Sequence, residues 1–273
     1  MIPRTAVVTG ANKGIGFHIA QQLASSGSFT NVVLACRDES RGMVAVKQIQ
    51  ESLHDSKCMV SFEHLNIGDE KSHELFVDKM RTRFDGKIDV LVNNAAMAFK
   101  NADPTPFRDQ CKPTLDVNFR GTFYFTEQML PLLRKGVDSR IVNVASMAGR
   151  LSQLSPSLQA KFSDVHLTKE ELNRLVDDFE HDVMEGNHRS KGWGNSIYGL
   201  SKLALIAATK IWAREEIGVI KVNAICPGYC DTDMTSHKGP RSPSDGAKIA
   251  VLPAVEKDCP TGEFFENMHV SVW

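Results

Sequence analysis

The sequence lacks the features that mark secreted, membrane-spanning and nucleic-acid-binding proteins. Its six cysteines are scattered over 273 residues with no CxxC pair, which favours free thiols in a reducing compartment over a disulfide framework. No apolar run approaches the ~20 residues that a membrane span needs. The 32 basic and 33 acidic residues leave a net charge of −1 with no long run of one sign, which argues against nucleic acid or an anionic membrane as the main partner.

Targeting and metal-binding signals are also scarce. Residues 1–4 lead directly into an apolar run, so we expect no signal sequence and a cytoplasmic protein. The nine histidines show no metal-ligand spacing, and we expect no metal. There is no repeat and no low-complexity linker. With 42% apolar and 24% charged residues, the composition is that of an ordinary soluble globular protein.

Short β-branched runs alternate with longer helical patterns along the chain. This alternation predicts βαβ units and a parallel sheet, and continuous apolar runs such as Val90–Val92 suit strands that are covered on both faces. We therefore predict an α/β protein with a single doubly wound domain over residues 1–273 and a parallel sheet of about seven strands. Strands are predicted at residues 6–8, 31–35, 59–65, 88–92, 140–144, 219–225 and 263–272, and helices at residues 14–25, 39–53, 71–84, 114–133 and 196–216.

Residues 150–195 interrupt this alternation. The segment has no strand pattern, and Thr168 followed by Glu171 is a capping-box sequence that starts a helix. Apolar residues then fall on one helical face, which predicts an ordered helical insertion packed on the body. The simplest interpretation is a surface elaboration without catalytic groups. The apolar residues are Leu172, Leu175, Val176, Phe179 and Val183.

A glycine-rich turn follows the first predicted strand and precedes the first predicted helix. At such a turn, glycines let the backbone approach a pyrophosphate that lies on the helix N-terminus. A tight turn without a ligand is the alternative, and the strand–turn–helix context favours the dinucleotide. The predicted cofactor-binding residues of this turn are Gly10, Asn12, Lys13, Gly14, Ile15 and Gly16.

The end of the second predicted strand indicates which nicotinamide cofactor fits. An acidic residue there would bind a free ribose 2′-hydroxyl, but this strand ends in Arg37, and Lys13 lies in the glycine turn. Two cations near one point suit a 2′-phosphate, so we predict NADPH (NADP+ when oxidised). Asp38 could weaken that phosphate site.

A tyrosine and a lysine, Tyr198 and Lys202, are spaced to lie on one helical face. A free phenol has a pKa near 10 and is a poor acid or base at neutral pH. We expect the lysine ammonium, together with a positively charged oxidised nicotinamide, to lower that pKa. The pair alone is common by chance, so its meaning depends on the other motifs.

Further motifs accompany the pair in a fixed order along the chain. They are Thr9-Gly10 with Gly14 and Gly16, Asn93-Asn94-Ala95-Ala96, Asn118, Ser146, and Pro227-Gly228. Together with Tyr198 and Lys202 they resemble the short-chain dehydrogenase/reductase family over nearly the whole chain, which implies a Rossmann-type fold. Two positions depart from the family pattern: Ala96 replaces a usual glycine, and Asn66 replaces a usual acidic residue near the adenine.

The resemblance also implies a role for each matching residue. Tyr198 would donate a proton to the substrate carbonyl oxygen, Ser146 would orient that oxygen, and Tyr229 would lie beside the substrate. Lys202 would bind the nicotinamide ribose, and Asn118 would anchor a water relay to it. The remaining implied cofactor contacts are Asn66, Ile67, Asn93 and Ala95 near the adenosine, and Pro227, Gly228 and Thr232 near the nicotinamide.

Ser146 and Tyr198 lie 52 positions apart, which is far more than in most members of this family. This interval resembles the carbonyl reductase subgroup and the plant reductases of terpenoid or alkaloid ketones. It implies a monomer, because the insertion covers helices that other members use to oligomerise. It also implies an NADPH-dependent reductase of ketones, aldehydes or quinones. The motifs that agree with this subgroup are residues 12–16, 35–38 and 227–229.

Several alternatives remain open from sequence alone. The protein could be an alcohol or steroid dehydrogenase that uses NAD in the oxidative direction, or a dinucleotide sensor without catalysis. Tyr229 could be a generic core aromatic. Cys226 and Cys230 could be small core residues or thiols exposed in the pocket.

Overall fold

The computed structural model describes residues 3–53, 57–100 and 102–273 and contains one eight-stranded sheet. Its strand order is β3-β2-β1-β4-β5-β6-β7-β8. The first seven strands are parallel, and β8 pairs antiparallel with β7. The predicted α/β, doubly wound fold is confirmed. The strands are β1 (Thr5–Thr9), β2 (Asn31–Cys36), β3 (Met59–His64), β4 (Val90–Asn93), β5 (Ser139–Val144), β6 (Ile220–Cys226), β7 (Phe264–Glu266) and β8 (His269–Val270).

The last predicted strand, over residues 263–272, is a hairpin and not one extended run. Asn267 and Met268 have φ values of 50° and 70°, and positive φ at both central residues is what a two-residue hairpin turn of the primed type requires. The chain therefore reverses and adds β8 to the parallel sheet.

Helices cover both faces of the sheet. The apolar side chains of β1 alternate between the faces, with Val7 in one core cluster and Ala6 and Val8 in the other, as the two-residue period of a strand requires. Helices α1, α2 and α9 contribute to one cluster, and α3, α4, α5, α7 and α8 to the other. The helices are α1 (Gly14–Ser25), α2 (Glu39–Ser52), α3 (Glu70–Arg83), α4 (Phe107–Leu115), α5 (Thr122–Leu133), α6 (Pro156–Phe162), α7 (Lys169–Met184), α8 (Ile197–Glu215) and α9 (Pro243–Val255).

The helix predicted over residues 114–133 begins earlier and is interrupted. It starts at Phe107 as α4, passes through a π-helical turn, Asp116–Gly121, and continues as α5. At Gly121 the chain approaches the Ile67 carbonyl so closely that there is no space for a Cβ atom. The contact joins distant parts of the chain, so the spacing of apolar residues within the helix could not predict it.

Helix α9 was not predicted from the sequence, although its start carries a recognisable signal. The hydroxyl of Ser242 accepts a hydrogen bond from the backbone N–H of Asp245 at 3.0 Å, and Pro243 occupies the first helical position. Both features are typical of a helix N-terminus. The helix packs against α1.

Residues 150–195 contain α6, α7 and one short 3₁₀ turn, Leu151–Gln153, but no strand. Thr168 and Glu171 form the expected capping box, and the predicted apolar face of α7 is buried. Helix α7 packs on α4 and α8. In the described part of the chain, no helix is both long and apolar enough to cross a bilayer.

The strand order reverses between β1 and β4, which lie side by side at the centre of the sheet. In open α/β sheets, the crevice beyond the carboxyl ends of the strands at such a reversal is where ligands bind. The glycine turn follows β1, and Asn94 follows β4. The fold therefore brings the sequence motifs to one edge.

Candidate active site

The glycine turn forms an open cradle at the N-terminus of α1. Gly10 and Gly14 have φ values of 65° and 58°, a conformation that favours glycine. A Cβ at Gly16 would collide with the Gly10 carbonyl and the Asn94 side chain. Lys13 is the N-cap residue of α1 but makes no side-chain capping bond. The first-turn N–H groups and the tight backbone therefore fit a pyrophosphate.

Asn94 fastens the loop after β4 to this turn. Its side-chain nitrogen donates to the Thr9 carbonyl at 2.9 Å, and the backbone N–H groups of Asn94 and Ala95 donate to the Thr9 hydroxyl at 3.0 and 2.9 Å. Sequence reasoning missed this function of Asn94. The doublet Asn93-Asn94 was visible, but the pattern does not show which side chain faces the turn.

Asn93 itself points into the protein. Its side-chain nitrogen donates to Thr126 Oγ1 at 2.9 Å and to Asn143 Oδ1 at 2.8 Å, and the residue is 2% exposed. The side chain thus joins β4 to α5 and β5. Any contact of Asn93 with a cofactor would be through its backbone.

The expected adenosine end lies after β2. Arg37 is exposed. The Asp38 carboxylate caps α2, accepting from the Arg41 N–H at 2.9 Å and the Ser40 hydroxyl at 2.8 Å, and the Arg41 hydrogen bond is the main cause that lowers its pKa. Arg41 Nε also lies 3.3 Å from Asp38. Asp38 is therefore engaged by its own helix, and Arg41 is a further cation that sequence reasoning missed.

Asn66 and Ile67 follow β3 at the same edge of the sheet. The Asn66 side-chain oxygen accepts from the Gly68 N–H at 3.3 Å, so its amide nitrogen is the group left to meet an adenine edge. Ile67 is buried in the hydrophobic core.

The loop after β6 lies against the glycine turn. Thr232 is close to Gly14, since a Cβ built on Gly14 would be 3.6 Å from the Thr232 methyl. Lys13 Nζ lies 2.5 Å from Asp233 Oδ2. His237 pairs with Asp231 at 2.7 Å and with Asp233 at 3.1 Å, and these two carboxylates raise its pKa.

Pro227 and Gly228 precede that loop. Gly228 has a φ of 82°, and the Pro227 carbonyl accepts from the Arg241 guanidinium at 3.0 Å. The turn is thereby fixed at the end of β6, where the sequence predicted contact with a nicotinamide.

Helix α8 carries Tyr198 and Lys202 on one face. Its N-cap residue is Ser196, whose hydroxyl accepts from the Gly199 N–H at 2.9 Å. Lys202 Nζ donates to the Val144 carbonyl at 2.7 Å and lies 5.7 Å from the Tyr198 ring centre. The predicted pair therefore meets at the carboxyl end of β5.

Ser146 joins the pair from the end of β5. Its hydroxyl accepts from the Ala148 N–H at 3.2 Å and lies near enough to the Tyr198 phenol to act on its pKa, which it lowers. Asn118 lies on the π-helical turn. Its side-chain oxygen accepts from the Met97 N–H at 2.8 Å, and its nitrogen donates to the Met97 carbonyl at 2.9 Å and to Ser201 Oγ at 3.2 Å. The structure thus assembles all four predicted catalytic residues around α8.

The lower tyrosine pKa that we expected from Lys202 together with an oxidised nicotinamide is not produced by the residues of the chain alone. Removal from water raises the pKa of Tyr198 to about 12, and the Ser146 hydrogen bond only partly opposes this. Burial lowers the pKa of Lys202 to about 8, and its ammonium is directed to the Val144 carbonyl. The phenol is therefore protonated at neutral pH, as a proton donor must be.

Two cysteines and an aromatic residue complete the surroundings. Cys226 and Cys230 are buried, in agreement with small core residues and not with exposed thiols. Cys226 Sγ accepts from the N–H groups of Met147 at 3.3 Å and Gly228 at 3.4 Å. Tyr229 is 54% exposed, which excludes the interpretation as a generic core aromatic.

Comparison with known proteins places these features in a family. A family model described as short chain dehydrogenase matches residues 4–170, and one described as enoyl-(acyl carrier protein) reductase matches residues 184–258. The chain is 40% identical to carbonyl reductase (NADPH) 1 of Sus scrofa over 99% of this chain and 94% of that protein. It is 41% identical to the Bos taurus protein of the same name over 98% of both.

Solved structures agree with these matches. Salutaridine reductase from Papaver somniferum has a TM-score of 0.85 at 31% identity, with 96% of this chain and 99% of that chain covered. Menthone neomenthol reductase from Mentha piperita has a TM-score of 0.81 at 31% identity, with 97% and 99% covered. The chain belongs to the short-chain dehydrogenase family, as its motifs predicted.

Proposed function

We propose that this protein is an NADPH-dependent carbonyl reductase that reduces ketones, aldehydes or quinones, with Tyr198 as the proton donor. The observation that carries the proposal is the arrangement of Tyr198, Ser146 and Lys202 at the strand ends, beside an open glycine cradle. That the protein is an NADPH-dependent oxidoreductase follows from its family and from relatives that have this cofactor in their name.

The chain offers a coherent set of groups for NADPH. The N-terminus of α1, with Gly10, Asn12, Gly14, Ile15 and Gly16, would hold the pyrophosphate. Lys13, Arg37 and Arg41 would hold the 2′-phosphate, because each can form charge-assisted hydrogen bonds. The other contacts would come from Asn66, Ile67, Ala95 and the backbone of Asn93 at the adenosine, and from Pro227, Gly228, Thr232, Tyr198 and Lys202 at the nicotinamide and its ribose.

The bound cofactor supplies a hydride. The protein supplies the proton and stabilises the negative charge that develops during the transfer. The Tyr198 hydroxyl donates its proton to the carbonyl oxygen as negative charge develops there. The Ser146 hydroxyl donates a hydrogen bond to the same oxygen and fixes its position. The resulting phenolate is stabilised by the Lys202 ammonium one helical turn away. Asn118 anchors the water relay to Lys202, through which the phenolate regains a proton.

The substrate lies over Ser146 and Tyr198, with Tyr229 at its side. An exposed aromatic ring beside a pocket buries its surface when an apolar substrate binds. This supports carbonyl compounds with an apolar body.

We further propose a cytoplasmic monomer folded as a single domain. Lys169, at the start of α7, pairs with Glu127 of α5 at 2.8 Å and with Glu215 of α8 at 2.7 Å. The insertion therefore covers surfaces of α5 and α8 that would otherwise be open to a second subunit. Cys36, Cys111, Cys226, Cys230 and Cys259 are free, buried thiols, which suits a reducing compartment.

The proposal is tested by following NADPH oxidation with a panel of quinones, ketones and aldehydes. General acid catalysis contributes typically 10²–10⁴-fold, so Tyr198→Phe is expected to lower kcat by at least ~100-fold while NADPH binding, measured by fluorescence, persists. Equal turnover by the two proteins would refute the role of Tyr198. NADPH binding without turnover of any carbonyl in the panel would favour the sensor alternative.

A further inference from the structure

The π-helical turn between α4 and α5 has an ion-pair cluster that the catalytic scheme does not use. The turn spans Asp116–Gly121 and carries Asn118. π-Helical turns are rare and occur mostly as single turns at functional sites. Here the turn directs Asn118 to both the N–H and the carbonyl of Met97. If the turn became α-helical, a shift of one residue would rotate the Asn118 side chain by about 100° around the helix axis. Asn118 would then no longer reach the Met97 backbone.

Arg120 lies two residues beyond Asn118 and binds three carboxylates. Its guanidinium lies 3.0 Å from Asp116, 2.6 Å from Asp177 and 2.7 Å from Glu180. The Arg120 side chain is only 18% exposed, and the carboxylates together raise its pKa against the opposing effect of burial. The pair with Glu180, whose side chain is 20% exposed, is less screened by solvent than a surface pair.

The positions of the three carboxylates determine which segments of the chain Arg120 connects. Asp116 and Arg120 are the first and fifth residues of the six-residue turn, so their ion pair spans the turn that contains Asn118. Asp177 and Glu180 are three positions apart on α7, on one helical face. The cluster therefore links the two ends of the π-helical turn through Asp116 and connects the turn to α7 of the insertion.

We propose that Arg120 is a positioning residue: bound by Asp177 and Glu180 of the insertion and by Asp116, it holds the π-helical turn in the register that presents Asn118 to Met97 and Ser201. The insertion then has a function in catalysis beyond covering a surface. The catalytic part of this inference rests on the proposed function, whereas the structural part does not.

The test compares Arg120→Gln, Arg120→Lys and the double variant Asp177→Asn/Glu180→Gln with Lys169→Gln. Lys169 is a matched control, because it is 19% exposed and also joins the insertion to the body through two carboxylates, but it does not touch the π-helical turn. Amide hydrogen exchange at Met97 reports directly on Asn118, since this N–H donates to the Asn118 oxygen.

We expect exchange at Met97 to be roughly tenfold faster in Arg120→Gln and in the double variant, and unchanged in Lys169→Gln. We expect kcat to fall by about tenfold or more, because misplaced groups near the reacting atoms are costly, with KM for NADPH unchanged. Arg120→Lys should recover part of both effects, since it keeps the charge but loses the planar fork.

The outcomes separate this inference from the proposed function. Unchanged Met97 exchange in folded Arg120→Gln would overturn the inference, as would equal acceleration in Lys169→Gln. Faster Met97 exchange with unchanged kcat would overturn the catalytic part alone. If Arg120→Gln fails to fold, the double variant decides, because it retains the pair between Arg120 and Asp116. Absence of carbonyl reduction in the wild type would refute the proposed function and leave the exchange result valid.

Discussion

Lys13 of the glycine turn and Asp233 of the loop after β6 form an ion pair with 2.5 Å between Nζ and Oδ2. The pair connects the glycine turn to a loop that is 220 positions away in the chain, across the cleft where we propose that the cofactor binds. Both side chains are more than half exposed, and exposed pairs contribute little to stability. Because Lys13 is also proposed to bind the 2′-phosphate, the Asp233 carboxylate competes with the cofactor for the same ammonium.

The first prediction concerns this competition. Asp233→Asn should lower KM for NADPH by up to about fivefold, since the lost pair is worth at most ~1 kcal/mol, and should leave KM for NADH unchanged. Steady-state kinetics at low salt measure both constants. Asp245→Asn is the control, because Asp245 forms a similarly exposed pair with Lys248 at 2.7 Å in α9. A KM for NADPH that is unchanged or higher in Asp233→Asn would contradict the competition.

The second prediction concerns cofactor preference. Arg37→Asp replaces an attractive charge at the 2′-phosphate with a repulsive one, and charge-assisted hydrogen bonds contribute about 1.5–3 kcal/mol. The ratio of kcat/KM for NADPH to that for NADH should fall by roughly 10- to 100-fold. Arg83→Asp, at the exposed end of α3, has the same charge change and should leave the ratio unaltered. An unchanged ratio in Arg37→Asp would exclude Arg37 from the phosphate site.

The third prediction concerns the pH dependence of activity. Burial lowers the pKa of Lys202 to about 8 and raises that of Tyr198 to about 12. Carbonyl reduction should therefore fall as pH rises through about 8, where Lys202 loses its charge, while Tyr198 stays protonated. A pH profile of kcat/KM measures this limb. A profile that is flat up to pH 10 would show that the charge on Lys202 is not needed.

The lowered pKa of Lys202 also predicts that the protein becomes more stable as pH rises, while its activity falls. The folded-state pKa of Lys202 is about 8, against 10.5 for a lysine in water, so the unfolded chain binds more protons between these values. The free energy of unfolding contributed by Lys202 should therefore rise with pH over this window. Denaturant unfolding of the wild type and of Lys202→Met, compared at pH 7 and pH 10, isolates the effect. A constant difference between the two proteins would contradict it.

Much of the fold was predictable because its signals are local. Runs such as Val90–Val92 are apolar on both faces, and they form central parallel strands. The apolar face of α7 was also readable, because one helical period fixes which side chains share a surface. The family motifs supplied Ser146, Tyr198 and Lys202, which the structure brings together.

What could not be predicted depends on contacts between distant parts of the chain. The π-helical turn is accompanied by the close approach of Gly121 to Ile67 and by the bonds of Asn118 to Met97, and neither contact leaves a local pattern in the sequence. The orientation of Asn93 was missed because a strand end does not show which of two consecutive side chains faces the cleft. The raised pKa of Tyr198 follows from its burial, and the extent of burial is a property of the folded protein that no local pattern shows.

The last prediction concerns the cap that starts the insertion's main helix. Thr168 Oγ1 accepts from the Glu171 N–H at 3.2 Å, and Glu171 Oε2 accepts from the Thr168 N–H at 3.0 Å. Thr168→Ala removes the first bond and leaves an N–H at the start of α7 unpaired, so the free energy of unfolding should fall by about 1 kcal/mol.

The control is Ser155→Ala. Ser155 is the N-cap residue of α6, but its side chain makes no capping bond. Ser155→Ala should therefore not lower the free energy of unfolding through loss of a cap. Denaturant unfolding measures both variants. Equal losses would show that hydroxyl removal in the insertion is costly without a cap. A loss confined to Thr168→Ala would assign the stabilisation to the capping box, because both variants delete a hydroxyl at a helix start and only one deletes a bond to the helix backbone.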